Sequence, residues 1–148
     1  MVDILHQVGA RGASPDAVFE ALTTASGLAG WWASDTTGEA DVVDEVIAFR
    51  FGPGGIDMAV RELVPGKLVR WEVVDGPEEW IGTEVAFELS TQADYTIINF
   101  AHRGWSEPVD FMHHCSTKWA TFLMSLKSLL ETGTGAPDPY DVKLVDWN

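Results

Sequence analysis

Four histidines and one cysteine are the side chains with the most chemistry to offer in this sequence. His113, His114 and Cys115 are adjacent, and imidazole beside thiol is a common metal-binding combination. On a helix, however, successive side chains point about 100° apart and do not converge on one ion without ligands from elsewhere. The least implausible set would be His102, His114 and Cys115. A single cysteine allows neither a four-thiolate zinc site nor an internal disulfide. The expectation is no metal and no cofactor, with two partly exposed histidines beside a buried core cysteine.

His102 shares a predicted strand face with Phe100 and Ile98, and His6 shares one with Ile4 and Val8. A buried imidazole could orient a polar ligand group or act as a general acid or base, because its pKa moves readily across neutrality. It could equally be a core histidine bonded to backbone. That second reading is preferred for His6, while for His102 the two stand level. Other chemistry finds less footing. Glu62 and Glu72 have no nearby nucleophile, and no serine sits in a Gly-x-Ser-x-Gly elbow. Cys115 lies mid-stripe between Phe111 and Trp119, where burial raises a thiol pKa and blunts its reactivity. Gly52-Pro53-Gly54-Gly55 joins two strands with no Gly-Lys-Ser/Thr after it, so it is a hairpin turn and not a phosphate loop.

The elements that must position these groups follow from the hydrophobic period. Val2 to Ala10 alternates as a half-buried strand. Ser14-Pro15 opens a short helix to about Thr24, and Ala25 to Trp32 makes a second helical turn. From Thr36 to Arg103 the period is two, with turns at Gly52 to Gly55, Pro65-Gly66 and Asp75 to Pro77, which reads as a meander of five or six strands. The period then becomes helical. Phe111, Cys115, Trp119, Phe122, Leu126 and Leu130 form one apolar stripe, predicting a helix from Glu107 to Glu131 that opens on Glu107-Pro108 and stops before Gly133. Beyond Gly135 a turn-rich tail carries Val142, Leu144, Val145 and Trp147, read as a short extended segment docked on the surface. The fold class is α+β, a curved antiparallel sheet wrapped around the last helix, in one domain spanning 1–148.

Twenty-three acidic against nine basic residues give a formal charge of −14, which repels a phosphate backbone and argues against nucleic-acid binding. No apolar run approaches the ~20 residues of a membrane span. Met1 to Ala10 lacks the marks of a secretion signal, so the expected compartment is the cytoplasm. Nine large aromatics, Trp32, Phe49, Phe51, Trp71, Trp80, Phe87, Phe100, Trp119 and Phe122, either fill a core or line a pocket, and Met58 and Met112 would let such a lining adapt.

The sequence resembles the SRPBCC, or START-like, superfamily of Bet v 1-like helix-grip proteins, in the branch related to the C-terminal domain of the Hsp90 ATPase activator. The resemblance runs from Ile4 to about Pro139. It rests on Ser14-Pro15 with Val18-Phe19 and Ala21-Leu22, Gly30-Trp31-Trp32, Phe49-Arg50-Phe51-Gly52 and Val69-Arg70-Trp71-Glu72. It continues through Gly82 to Phe87, Phe100 to Trp105, and Lys118 to Leu123 with Ser125-Leu126-Lys127. It implies a helix-grip fold with a hydrophobic cavity between sheet and final helix. The inward positions that would line it are Trp32, Phe49, Phe51, Met58, Val60, Trp71, Val73, Trp80, Thr83, Val85, Phe87, Ile98, Phe100, His102, Cys115, Trp119 and Phe122. The resemblance does not imply one function; the first expectation is a binder of a small hydrophobic molecule, with His102 and Thr83 as inward polar groups. The alternatives are a cyclase- or hydrolase-type enzyme on an aromatic or polyketide-like substrate, with His102 as acid or base, and an Hsp90-activator-like interaction module. The eukaryotic activator has an additional N-terminal chaperone-binding domain that is not expected here, which ranks a chaperone partner below a small molecule. A homodimer is left open.

Overall fold

The computed structural model describes residues 1–148. Strand β1 (Val2–Arg11) leads to helices α1 (Pro15–Thr23) and α2 (Ala25–Trp31), then strands β2 (Asp35–Thr37), β3 (Val46–Phe51), β4 (Gly54–Val64), β5 (Leu68–Asp75), β6 (Glu84–Gln92) and β7 (Tyr95–Trp105), and finally helix α3 (Asp110–Thr132). All seven strands form one antiparallel curved sheet in the order β1-β7-β6-β5-β4-β3-β2. The first strand thus pairs with the last, with Ile4 opposite His102 and His6 opposite Phe100. The meander from β2 to β7 has six strands. This is the helix-grip arrangement, with α3 packed against β1, α1 and α2.

Local chemistry explains the joints. Ser14 Oγ accepts from Ala17 N at 3.1 Å, with Pro15 in the first helical position, where its missing N–H costs nothing. Thr24 ends α1 and begins α2, its hydroxyl accepting from Gly27 N at 3.0 Å. The two short helices are then clamped by the buried Trp31 indole, which donates to Ala21 O at 3.1 Å. Trp32 is the hinge of the core. Its ring lies parallel to Trp71 on β5 and within 4.8 Å of Trp119 on α3, so one side chain ties α2, sheet and final helix together.

Two expectations need correction. The final helix begins at Asp110, not Glu107. Val109 is the extended N-cap (ψ 165°), and Glu107 precedes a proline, which disfavours helical backbone in the residue before it. Its far end is as expected, with Gly133 left-handed at φ 87° and its N–H bonded to Leu129 O. The tail after Gly135 is not extended. It makes one bridge, Ala33 to Asp138, and otherwise runs in bends and turns. It lies close against the body: a Cβ added at Gly135 would stand 2.3 Å from Gly30 O, so only glycine permits this approach.

Candidate functional site

His102 is completely buried, and both ring nitrogens are occupied. An indole N–H only donates, so the 3.1 Å contact from Trp119 Nε1 means that His102 Nδ1 carries a lone pair. The proton of the neutral ring is therefore on Nε2, where it is donated to Thr83 Oγ1 at 2.8 Å. The Thr83 hydroxyl passes its own hydrogen to Trp80 O at 2.5 Å. Trp80, Trp105 and Trp119 surround the imidazole with ring centroids 4.6 to 6.0 Å away. Burial pushes the imidazole pKa down to about 3. A second proton would also oppose Nδ1–H to the Trp119 N–H, two donors face to face. With Trp119, the pair His102 and Thr83 joins β7, the β5–β6 connection and α3 as an internal polar strut with no free donor or acceptor.

His6 bonds through Nε2 to Ser116 O at 3.0 Å, the backbone tie that the strand pattern favours for it. His113 is exposed and His114 half-buried, and no three side chains among His, Cys, Asp and Glu come together. Burial pushes the Cys115 thiol up to about 12, and the Trp80 indole N–H, which faces the sulfur without a full hydrogen bond, offsets only part of that.

A cleft of about 470 Å³ lies over the N-terminal half of α3. One wall is α3 itself, with Phe111, His114, Cys115, Lys118, Trp119 and Phe122. Trp32 closes the inner end, Phe51, Gly52 and Ile56 come from the β3–β4 hairpin, and Pro77 and Trp80 from the β5–β6 connection. The tail supplies the remaining wall through Asp138, Pro139, Lys143, Asp146, Trp147 and Asn148. Of the residues expected in a cavity, Trp32, Phe51, Trp80, Cys115, Trp119 and Phe122 meet here. Phe49, Met58, Val60, Trp71, Val73, Thr83, Val85, Phe87, Ile98, Phe100 and His102 are instead buried in the core. Their rings pack against one another, as Phe87 does edge to face on both Trp71 and Phe100 at centroid distances of 5.2 and 5.3 Å. The space beneath the sheet is filled by these side chains, and the opening is displaced toward the hairpin and the tail.

Of the lining residues outside that expectation, Lys118 on α3 is the buried charge. It occupies an apolar-stripe position, next to Trp119 and one turn from Cys115 and Phe122, where a charged side chain is the anomaly to look for. Only 7% of its surface is exposed. Its ammonium lies 4.9 Å over the Phe122 ring and pairs with the buried carboxylate of Asp141. Burial pushes the Asp141 carboxyl up, but hydrogen bonds from Lys118 and Lys143 outweigh it and hold the group below the ordinary aspartate range. Tail and helix are joined again at Trp147, whose ring lies 4.2 Å from that of His114.

Residues 12–131 match the family model described as activator of Hsp90 ATPase homolog 1-like protein. The chain belongs to that family. The Aha1 dimer of Colwellia psychrerythraea is 48% identical over 91% of this chain and the whole of the other, with a TM-score of 0.84. CalU16 from Micromonospora echinospora is similar in fold alone, at 19% identity over 93% of this chain and 77% of that one, TM-score 0.73. DynU16, a protein of the dynemicin biosynthetic locus, matches at 23% identity over 90% of this chain and 48% of its own length, TM-score 0.74. No curated protein matches the chain. The family and the SRPBCC helix-grip superfamily to which it belongs share the fold described above. No helix is long and apolar enough to cross a membrane.

Proposed function

We propose that the chain is a cytoplasmic binding module that takes a small hydrophobic molecule into the cleft beside α3, with Trp32, Phe51, Trp80, Cys115, Trp119 and Phe122 as its contact surface. The observation that carries this reading is the cleft itself, aromatic on three sides and about 470 Å³ in volume, within the range of small-molecule sites. Binding is favoured over catalysis because the one buried histidine is neutral, fully hydrogen-bonded and absent from the cleft lining. The test is titration with the neutral fluorophore N-phenyl-1-naphthylamine, following both its emission and that of the lining tryptophans. Saturable binding that is weakened by Trp119→Ala supports the reading. Absence of binding by this probe and by a panel of lipids and aromatic acids overturns it.

A second reading concerns assembly. The 48% identical relative is described as a dimer, and self-association is proposed for this chain on that ground. Light scattering coupled to size exclusion gives the mass directly, and a monomer at all accessible concentrations refutes it.

A further inference from the structure

The cleft has a fixed part and a part built from the tail, and their charges differ. Twelve of its 18 lining residues belong to the sheet, the helices or their connections, and among these Lys118 is the only side chain charged at neutral pH, since burial lowers the His114 pKa. Every acidic lining residue, Asp138 and Asp146, comes from the tail. A chain of net charge −14 thus places a lone cation on the permanent wall of an aromatic cleft.

The counter-ion of that cation is borrowed. The tail is pinned to the body by main-chain hydrogen bonds as far as Asp138, whose N–H donates to Trp32 O at 2.7 Å and whose carbonyl accepts from Ser34 N at 3.1 Å. From residue 140 onward, the only hydrogen bonds to the body are those of Lys118, to the Asp141 carboxylate and to Val142 O at 2.9 Å. Asp141 carries a second cation with it, because Lys143 Nζ pairs with its other oxygen at 2.8 Å. When this segment lifts, Asp141 and Lys143 leave together, the 3.4 Å contact of Lys143 with the pinned, part-exposed Asp138 is given up, and the buried Lys118 loses its carboxylate partner. A buried ammonium without a partner is strongly disfavoured, so the segment opens most readily when another anion takes its place.

We propose that the cleft selects aromatic carboxylates, whose ring lies against Trp32, Trp119 and Phe122 while the carboxylate replaces that of Asp141 on Lys118. Asp141 is then an internal occupant of the ligand's anion position, and the segment from residue 140 is displaced on binding. The inference rests on the ligand-binding reading above and adds the chemical class and the residue that recognises it.

The probes are 2-naphthoate and its neutral isostere 2-naphthamide, measured by calorimetry on the whole chain at neutral pH. Wild type is expected to bind the acid about tenfold more tightly than the amide, the margin of a charge-assisted contact. Asp141→Asn removes the competing charge and should tighten naphthoate by about five- to tenfold while leaving naphthamide within about twofold. Lys118→Met keeps the apolar stem and should abolish the preference for the acid. Near-UV circular dichroism reports whether this variant is folded. If it is not, the comparison of wild type with Asp141→Asn decides. Equal affinity for acid and amide, or weaker naphthoate binding by Asp141→Asn, overturns the carboxylate assignment and leaves the cleft reading standing. Failure of both probes to bind wild type and Asp141→Asn overturns both.

Discussion

Acid should weaken this protein through His102 before most carboxylates begin to titrate. In the folded state the imidazole is held neutral, with a pKa of about 3, whereas in the unfolded chain it titrates near 6.5. Between those values the unfolded state binds a proton that the folded state refuses. The stability that this histidine contributes is therefore complete above about pH 6.5 and is lost as pH falls toward 3. The slope for one such group is about 1.4 kcal/mol per pH unit, or about 2 kcal/mol between neutrality and pH 5 and close to 5 kcal/mol over the whole window. The test is urea unfolding at several pH values for wild type and His102→Asn, whose side-chain oxygen can accept from Trp119 in place of Nδ1. At neutral pH the variant should be less stable by about 1–3 kcal/mol, because Thr83 loses its donor. By about pH 5 that gap should narrow by about 2 kcal/mol, since the surface carboxylates are common to both proteins and cancel. A gap independent of pH would refute the assignment of a neutral, doubly engaged imidazole.

Other outcomes follow from the same contacts. Trp119→Phe preserves most of the ring but leaves Nδ1 of His102 as a buried acceptor without a donor, at a cost of about 1–3 kcal/mol in urea unfolding; an unaffected midpoint would place the imidazole in another tautomer. Gly135→Ala sets a methyl against Gly30 O and should loosen the tail, read as faster hydrogen exchange at the Ala136 and Asp138 amides, with about 1–3 kcal/mol lost. With its thiol pKa near 12, Cys115 should react with a thiol reagent at mildly alkaline pH about a thousandfold more slowly than a free cysteine, whose pKa is about 8.5. Rapid labelling of the folded chain would contradict that burial.

The fold was legible because hydrophobic period is a direct imprint of geometry. Alternation at Ile47-Phe49-Phe51 and Val85-Phe87-Leu89 marks strands, and the stripe from Phe111 to Leu130 marks a helix, whatever surrounds them. Position along the inward face leaves no such imprint. Phe49 and Phe51 have the same place in the alternation, yet one is sealed beneath Trp32 and the other borders the cleft. Phe51 ends β3 at the hairpin, where the tail forms the facing wall of the cleft, and the far part of that tail is held by Lys118 and Asp141, 23 residues apart and paired by burial and charge. Local pattern carries no record of such a pairing, so Val142 to Trp147 read as an extended segment. The lysine within the apolar stripe was the one visible sign. His102 illustrates the same limit: its burial followed from its strand face, but its role depended on which donors its two nitrogens meet.

The grip of α3 on the sheet also has a consequence for assembly. Strand β1 lies at the margin of the sheet, where a second chain could add a strand of its own. Lys127 donates to Gly9 O at 2.5 Å, Glu131 accepts from Arg11 N at 2.7 Å, and the two side chains pair with each other at 2.7 Å. The C-terminal end of that margin is therefore guarded by the last turns of α3. In synthesis order every strand precedes its guard. Until α3 docks, a complete β1–β7 pair would present a bare rim, and substitutions at Lys127 or Glu131 should show themselves first as misassembly during refolding at high concentration rather than as a lowered equilibrium stability of the finished fold.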